Sequence, residues 1–476
     1  MSLVAPARHS GIQKLADRTV LRHKGAILAH LIGFAVFFAI FGQLLLKTGA
    51  GAEIFARLRD EWFTSPTDIP IRFVAVWLFL DRFGRVGRYR LTAWDALYGM
   101  LLVAYGLSFI FADLAMMRLS GGAVFVDWIA VFSTPLLFFI VVQEASLRKG
   151  YRPDILLGWL VGTAALAGAL GLVQALDIAG MRERSAIFFN WAYNDRMLQG
   201  PSEVYQGRGP FQHANGLAVM MVFSFALVPA CFRFPKLKPL AIPLLLLLGA
   251  ATFGTYSRIG IVSAAAVFGS VIVFLLLKKR TIQAAAALCG AILLGFAFVA
   301  SIYVFDIQRF KIFIEGEGTV ARAKADEIGG WYLRQDANKA AIDKALDYPM
   351  SGVGATGAGI NRLDMITSNS YSYRALTTNS YTFAWVSYGI AGLLFVMGQV
   401  IVLGYVGLSK RIHAAYALSF TMLAAAIAVA AAAENSSFST SLMSFANVFI
   451  AMFALPALRK QDIRQKLPVP AAPLEA

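Results

Sequence analysis

Twelve long apolar segments, separated by shorter polar gaps, dominate the pattern of this chain. Most of them approach the roughly 20 residues that a helix needs to cross the hydrocarbon core of a bilayer. The segments cover 26–46, 69–80, 92–112, 123–142, 155–176, 214–232, 240–254, 259–277, 282–305, 381–408, 414–433 and 438–457. The pattern predicts an all-α polytopic membrane protein with about 12 transmembrane helices.

The charges in the gaps alternate between strongly basic and balanced. Every second gap, together with both ends of the chain, is rich in Lys and Arg, so the positive-inside rule predicts cytoplasmic termini. Residues 1–25 are then a basic cytoplasmic N-terminus, and 459–476 are a cytoplasmic tail. The formal net charge of +16 is mostly this topology signal. Because the basic residues are divided among short loops, we expect no nucleic-acid partner.

Composition limits the class of protein. Hydrophobic residues make up 58% of the chain, a balance that soluble domains do not carry. The first apolar segment follows a basic stretch, as a signal peptide would, but its length favours an uncleaved anchor. The two cysteines, Cys231 and Cys289, lie within or beside apolar segments and form no metal pattern.

Two outward gaps are long, and long loops in compact proteins usually carry function. The first, at about 177–213, interrupts a unit of nine helices at 26–305. The second, at 306–378, precedes the last three helices at 379–458. Residues 319–346 of the second loop are predicted to be helical up to Pro349, so we expect a large helical periplasmic cap. The following Gly352-Val353-Gly354-Ala355-Thr356-Gly357 matches a dinucleotide fingerprint but follows a helix, so a tight turn is the plainer interpretation and a phosphate-binding nest the alternative.

Polar and charged residues stand at membrane depth in two short segments, 207–216 and 255–260. A charge held near hydrocarbon is costly, so it marks a ligand or a partner. Arg258 is the first candidate, although its side chain would also fit the lipid headgroups. His213 is a candidate proton acceptor or a structural hydrogen-bonding group. Glu434, between the last two apolar segments, is a candidate carboxylate, with an ordinary loop acid or an arginine partner as alternatives.

Four motifs in order carry a family resemblance. They are GRGPFQHANGLA at 207–218, TYSRIG at 255–260, ALDYPMSGVGATG at 345–357 and TNSYTFAWVSYGIAGLL at 378–394. With the twelve-segment layout, this order resembles the O-antigen ligase and Wzy-type polymerase family over about 205–405. The resemblance implies a glycosyltransferase of the bacterial inner membrane whose active site faces the periplasm. It also implies an undecaprenyl-pyrophosphate-linked oligosaccharide donor, a glycan acceptor and membrane lipids as partners, together with a flippase and a chain-length regulator.

One position departs from the family pattern. Its ligases have His-Asn, nine residues and then Gly-x-x-Gly; here Asn379, Gly389 and Gly392 fit that spacing, but Thr378 occupies the histidine position. A threonine hydroxyl is no general base near neutral pH. The departure favours a polymerase of exopolysaccharide, capsule or O-antigen repeat units over a ligase that transfers glycan to lipid A core.

Transfer from a sugar pyrophosphate builds negative charge on the leaving group, so the site needs fixed cations, and arginine binds phosphate oxygens in a bidentate manner. The predicted catalytic residues are Arg258, Arg334, His213 and Glu434. The predicted substrate-binding residues are Arg208, Asn215, Arg322, Asn379, Tyr381 and Trp331. Because no acidic cluster with metal-ligand spacing appears on the outward face, we expect metal-independent transfer without a cofactor.

A polytopic lipid-oligosaccharide transporter is the competing class. Such proteins usually show internal repeats, broken helices and ionisable groups near the middle of the membrane. Inspection finds no repeat between the halves, and the polar groups gather at one face beside one long loop. This asymmetry favours an enzyme.

Overall fold

The computed structural model describes residues 11–46, 66–82, 91–111, 133–148, 150–181, 184, 206–211, 213–304, 338–339, 341–343, 345–352, 379–433 and 439–458. Within these ranges every regular element is helical and no strand occurs. The all-helical architecture predicted from the apolar segments is confirmed for this part of the chain.

Each predicted apolar segment corresponds to a helix, with shifts at some ends. In chain order the helices are α1 (Gly11–Leu46), α2 (Ile69–Arg82), α3 (Ala93–Phe111), α4 (Ser133–Ser146), α5 (Pro153–Ala175), α6 (Ala214–Cys231), α7 (Ala241–Gly254), α8 (Arg258–Leu277), α9 (Thr281–Val304), α10 (Ser380–Leu408), α11 (Ala414–Ala433) and α12 (Thr440–Phe453). Helix α1 begins before its apolar segment and includes basic residues. Helix α4 continues to Ser146 instead of ending at 142, and the first part of its predicted segment lies outside the described residues.

Among the described residues, 7 helices are long and apolar enough to cross a membrane: α1, α5, α6, α8, α9, α10 and α11. The remaining five are shorter apolar helices. That all twelve cross the bilayer therefore stays a prediction. The helices differ strongly in how much of their surface is buried. In α6, 83% of the span is buried, but in α9 only 6% is. Helix α6 lies in the core of the bundle, and α9 lies at its periphery.

A buried amide joins three helices that are distant in sequence. The Oδ1 atom of Asn447 in α12 accepts a hydrogen bond from Trp94 Nε1 in α3 at 2.9 Å. Its Nδ2 atom donates to the Tyr98 hydroxyl at 2.9 Å and to the Pro135 carbonyl of α4 at 2.7 Å. In an apolar environment an unpaired amide is costly, so these bonds fix how α3, α4 and α12 pack.

Helices α1 and α5 run side by side in the same direction. Gly25 lies against Gly150, just before α5 begins, and further along Gly33 lies against Trp159. Both helices therefore end on the same side of the bundle, where α6 and α8 begin and α7 ends. We call this side the motif end.

The ends of helices α10 to α12 also lie either at the motif end or at the opposite end of the bundle. The hydroxyl of Ser441 at the start of α12 donates to the carbonyl of Ala39 in α1 at 3.0 Å, so α12 begins at the motif end. At the opposite end, the rings of Phe453 and Tyr416 stack with centroids 4.3 Å apart, which places the start of α11 there. Because the short link 409–413 joins α10 to α11, α10 begins at the motif end and α11 returns to it.

Candidate functional site

The segment 206–211 lies against the end of α5, held by the side chain of Gln174. Gln174 Oε1 accepts hydrogen bonds from the backbone N–H of Arg208 at 3.0 Å and of Gly209 at 2.8 Å. Its Nε2 donates to the Gly209 carbonyl at 3.3 Å. Gln174 is only 2% exposed, so one buried amide fixes the backbone on both sides of the Arg208 side chain.

Two glycines allow this segment to approach the helix backbones. A Cβ at Gly207 would collide with the carbonyl group of Gly171 in α5. Gly209 has φ +55°, a region that side chains disfavour, and a Cβ there would stand 2.8 Å from the Ala167 carbonyl oxygen. The Gly207 N–H also donates to the Gly254 carbonyl at 2.9 Å, which ties the segment to the end of α7. Two glycines of the first motif are therefore required by close packing.

A side-chain hydrogen bond links the first two motifs. Ser257 is the N-cap of α8, and its hydroxyl accepts from the Gly260 N–H at 3.4 Å. The same hydroxyl donates to Asn215 Oδ1, near the start of α6, at 2.8 Å. Gly260 lies against Ala218, so the first turns of α6 and α8 pack closely at the motif end.

The turn between α7 and α8 contains a strained residue. Tyr256 has φ +45°, which is uncommon for a residue with a side chain and concentrates at functional sites. Its ring is half-buried, and burial raises the pKa of its hydroxyl. The turn fixes the direction in which the chain enters α8 at Arg258.

Positive charge is concentrated around these two helix starts. The N-termini of α6 and α8 present the positive ends of their helix dipoles. Arg208, in the segment that leads to α6, is 6% exposed, and Arg258, the first residue of α8, is partly buried. The arrangement favours an anion at the motif end.

The start of α10 lies at the same end of the bundle. Asn379 is its N-cap, and Asn379 Oδ1 accepts from the N–H groups of Tyr381 at 2.9 Å and Thr382 at 3.3 Å. The Tyr381 hydroxyl donates to the Ala428 carbonyl of α11 at 3.3 Å. Both side chains therefore have a structural contact, and their predicted contact with substrate stays a prediction.

Helix α10 is broken at Gly389. This glycine has φ +64° and ψ −153°, a combination that only glycine adopts readily. The part after the break, Ile390 to Leu408, is about 28 Å long at 1.5 Å per residue and matches the hydrocarbon thickness on its own. The half-helix 380–388 precedes this part at the motif end.

The end of the long loop fills this break. Residues 345–347 are helical and Ala345 is fully buried, which confirms the predicted helix end before Pro349. The Pro349 carbonyl accepts from the Ile390 N–H at 2.9 Å and from Trp385 Nε1 at 3.4 Å. We call residues 348–352 the docked turn.

Two glycines allow the docked turn and α10 to meet backbone to backbone. A Cβ at Gly389 would collide with the Met350 carbonyl group. Gly352 has φ +68°, and a Cβ there would lie 2.7 Å from the Gly389 nitrogen. The tight-turn interpretation of Gly352 is confirmed, while the other two glycines of the fingerprint lie outside the described residues.

A comparison with protein families finds a match for the region from α7 to α10. Residues 243–397 match the family model described as O-antigen ligase. They form an O-antigen ligase family domain. The family resemblance predicted from the four motifs is thus confirmed for this region. No curated protein matches the chain.

The O-antigen ligase domain contains α8, α9, the long loop and the break in α10, but not the Arg208 segment. The match begins after α6, so the predicted extent of 205–405 is longer than the matched region. The Asn215–Ser257 bond nevertheless joins the preceding segment to the domain. Both parts contribute to the motif end.

Four of the predicted site residues, and the position that departs from the pattern, lie outside the described residues. These are Arg322, Trp331, Arg334, Glu434 and Thr378. The other six, Arg208, His213, Asn215, Arg258, Asn379 and Tyr381, all lie at the motif end. His213 is the N-cap of α6, and its exposed imidazole does not cap the helix.

Sequence reasoning missed two buried polar residues. Gln174 gave no signal because a single glutamine in an apolar helix resembles an ordinary interior amide. Asp68, which is 1% exposed, accepts from the Thr134 hydroxyl at 2.8 Å just before α2 begins. Burial raises the pKa of Asp68 to about 6, while Thr134, Arg72 and Thr67 oppose the shift.

We expect Ser257→Ala to destabilise the O-antigen ligase domain more than an ordinary cap substitution. Loss of an N-cap costs about 1–2 kcal/mol, and Asn215 would also lose the partner of its Oδ1 atom. Thermal unfolding of the purified protein in detergent measures the effect. The matched control is Ser439→Ala, which removes the N-cap of α12, whose hydroxyl accepts from the Leu442 N–H at 3.5 Å. Equal losses of stability in the two variants would contradict the role of the link between α6 and α8.

Proposed function

We propose that this chain is a membrane glycosyltransferase of cell-surface polysaccharide biosynthesis. It transfers an oligosaccharide repeat unit from undecaprenyl pyrophosphate to another glycan and so polymerises exopolysaccharide, capsule or O-antigen. The match of 243–397 to the O-antigen ligase model supports glycan transfer in general. The finer assignment rests on the chemistry of the motif end.

The observation that carries the proposal is the convergence of two helix N-termini with two arginines. The Asn215–Ser257 bond of 2.8 Å joins the helix starts, and Arg208 is buried beside them. A lipid-linked pyrophosphate places its charge at the membrane boundary, where the dipoles of α6 and α8 and the guanidinium groups neutralise it without proton transfer. As the glycosidic bond to the phosphate breaks, Arg208 and Arg258 stabilise the growing negative charge.

Activation of the acceptor hydroxyl requires a base. With Thr378 at the histidine position, His213 and Glu434 are the proposed groups, and Arg334 supplies further positive charge from the long loop. Arg322, Asn215, Asn379, Tyr381 and Trp331 are proposed to contact the substrate. We propose no metal ion in the reaction, so transfer should continue in the presence of a chelator.

The absence of the motif histidine favours a polymerase over a ligase that acts on lipid A core. We place the site at the periplasmic face of the bacterial inner membrane, with cytoplasmic termini and the loop 306–378 as a cap. A flippase that supplies the donor and a regulator of chain length are the proposed partners.

One structural feature favours a second class. The broken helix α10 resembles the discontinuous helices of transporters. The break, however, lies near one end of the helix, and the half after it still spans the hydrocarbon. Because the break favours a transporter but its position does not, a lipid-oligosaccharide transporter is the second candidate and not the first.

Deletion of the gene in its native host tests these assignments. We expect single repeat units on their lipid carrier to accumulate on the periplasmic side, with polymer restored by the wild-type gene. Intact polymer retained on the carrier would identify a ligase instead. Repeat units retained on the cytoplasmic side would identify a transporter, and unchanged surface glycans would refute all three functions.

A further inference from the structure

A cavity of about 430 Å³ lies between α1 and α5, toward the end of the bundle opposite the motif end. It is open to the surface of the described part of the bundle, and its volume falls within the range of about 300–1,000 Å³ typical of ligand pockets. The residues that border it include His30 of α1 and Ile155, Gly158, Trp159, Gly162 and Thr163 of α5. This mostly apolar lining suits a hydrocarbon chain.

Two glycines keep one wall of the cavity open. Gly158 and Gly162 are about one helical turn apart on α5 and therefore share a face. A Cβ at Gly162 would meet nothing within 4 Å, and a Cβ at Gly158 would meet the Leu237 Cδ2 atom at 3.9 Å. Packing among the described residues therefore requires neither glycine. The space that they leave is available to another molecule.

The imidazole of His30 has a donor for which the described residues provide no acceptor. Trp159 Nε1 donates to His30 Nδ1 at 3.0 Å, and an indole nitrogen can only donate. His30 Nδ1 therefore carries no proton, so the ring is neutral and its N–H group is at Nε2. The side chain is exposed within the apolar span Gly25–Gly42, where an unpaired donor is costly. We expect an acceptor from another molecule at this position.

A second polar residue borders the same cavity. Thr163 is 1% exposed, and its buried hydroxyl group has no hydrogen-bond partner among the described residues. Such hydroxyls in helices commonly donate to the carbonyl one turn earlier, as Thr252 does to Leu248 in α7 at 2.7 Å. Unsatisfied buried groups are rare in native proteins and call for an explanation. A ligand in the cavity accounts for both Thr163 and His30.

The basic turn before α5 indicates the depth of His30 in the membrane. This turn contains Arg148 and Arg152, and its Gly150 lies against Gly25 of α1. His30 lies five residues further along α1, which at 1.5 Å per residue is about 8 Å. The polar region of one leaflet is about 5–8 Å thick, half the difference between the whole bilayer and its hydrocarbon core. A phosphate at the basic turn therefore places the ester carbonyls of a phospholipid at the level of His30.

Arg152 can bind a phosphate in addition to its intramolecular partner. Its Nε and Nη2 atoms donate to the carboxylate of Asp154 at 2.9 and 2.6 Å, and half of its side chain is exposed. A guanidinium group has five N–H donors, so Nη1 remains for a second acceptor. Arg152 also precedes Ile155 by three positions and Trp159 by seven, on the face of α5 that borders the cavity. This arrangement of charge and cavity favours a lipid with an anionic headgroup.

We propose that the cavity binds one anionic phospholipid of the leaflet opposite the motif end. Its phosphate contacts Arg152, one ester carbonyl accepts from His30 Nε2, and the acyl chain lies across Gly158 and Gly162. Because Gly-x-x-x-Gly also pairs transmembrane helices, a second copy of this chain is the alternative occupant. The carbonyl groups of a partner helix are paired within that helix, so they offer no acceptor to His30, which favours the lipid.

The wild-type protein tests the carbonyl contact without any substitution. Phosphatidylglycerol with two ester-linked oleoyl chains would be titrated onto the purified full-length protein in detergent, with bound lipids counted by native mass spectrometry. The diether analogue has the same headgroup and hydrocarbon tails but no carbonyl groups. We expect one diester lipid to bind before all others, and the diether to bind at that site about fivefold more weakly, the effect of one lost hydrogen bond.

Two substitutions alter the cavity in different ways. Gly162→Leu fills it and should abolish binding of the first lipid, whereas Gly404→Leu is the matched control, since a Cβ there also meets nothing within 4 Å. His30→Phe removes the Nε2 donor and should make the diester and the diether bind equally. Trp159→Phe also breaks the bond between Trp159 and His30 but leaves a donor on His30, so it should retain the preference for the diester.

Equal affinity of the wild type for the two lipids would overturn the proposed site, because a polyprenyl chain without a carbonyl would then fit as well. Unchanged binding of the first lipid by Gly162→Leu would place that lipid elsewhere. A wild-type dimer that Gly162→Leu converts to a monomer, without a change in bound lipid, would assign the glycines to a second copy of the chain. Should either cavity variant fail to fold, the comparison of diester and diether on the wild type still decides.

Discussion

Replacing Arg258 by alanine is expected to reduce glycan transfer by at least about 100-fold, the usual cost of removing one group that stabilises transition-state charge. The guanidinium group stands at the first residue of α8, where the helix dipole and Arg208 add to the same positive field. Arg258→Lys should retain part of the activity, because it keeps the charge but loses bidentate phosphate binding. Transfer measured in membranes with matched protein amounts gives the values.

Arg280 provides the control for that experiment. It follows the other end of α8, and its side chain donates to Gln283 Oε1 at 3.4 Å, away from the motif end. Arg280→Ala should leave transfer unchanged, so an equal loss in both variants would mean that Arg258 acts only through general charge. Full activity in Arg258→Ala would remove this arginine from the site.

Gln174→Leu is expected to have the second largest effect, about 100-fold, because displacing a site group by about 1 Å has consequences of that size. Leucine of similar volume leaves the N–H groups of Arg208 and Gly209 without their acceptor. Gln174→Glu keeps an acceptor for both N–H groups but loses the donor to the Gly209 carbonyl, so its activity should lie between leucine and the wild type.

The wild type, Gln174→Glu and Gln174→Leu would be compared by their rate of glycan transfer and by their inhibition by inorganic pyrophosphate. If the amide positions Arg208, both quantities should fall together in the order glutamine, glutamate, leucine. Gln283→Leu, at an exposed position on α9, controls for the change of residue type. A leucine variant with wild-type pyrophosphate inhibition would show that the hydrogen bonds of Gln174 have no influence on pyrophosphate binding.

The helices could be predicted from the apolar segments alone. Backbone N–H and C=O groups in hydrocarbon must form hydrogen bonds within their own segment, and a helix provides them. The contact between the first two motifs could not be predicted, because no local sequence pattern indicates that Asn215 and Ser257 form a hydrogen bond. Gln174 bonds to residues 34 and 35 positions away, which no local pattern encodes. The spacing of Gly389 and Gly392 was visible in the sequence. Its meaning depends on Met350 and Gly352, which reach the break only in the folded chain.

The buried amide of Asn447 also sets a time scale for assembly. Its partner Trp94 is synthesised 353 residues earlier. At roughly 5–20 residues per second, the ribosome needs about 20–70 s to cover that distance. During this interval the indole of Trp94, the hydroxyl of Tyr98 and the carbonyl of Pro135 lie in nascent helices without their final partner. The bundle core therefore closes only after translation of the last helix, and until then it depends on temporary partners such as lipid headgroups, water or the insertion machinery.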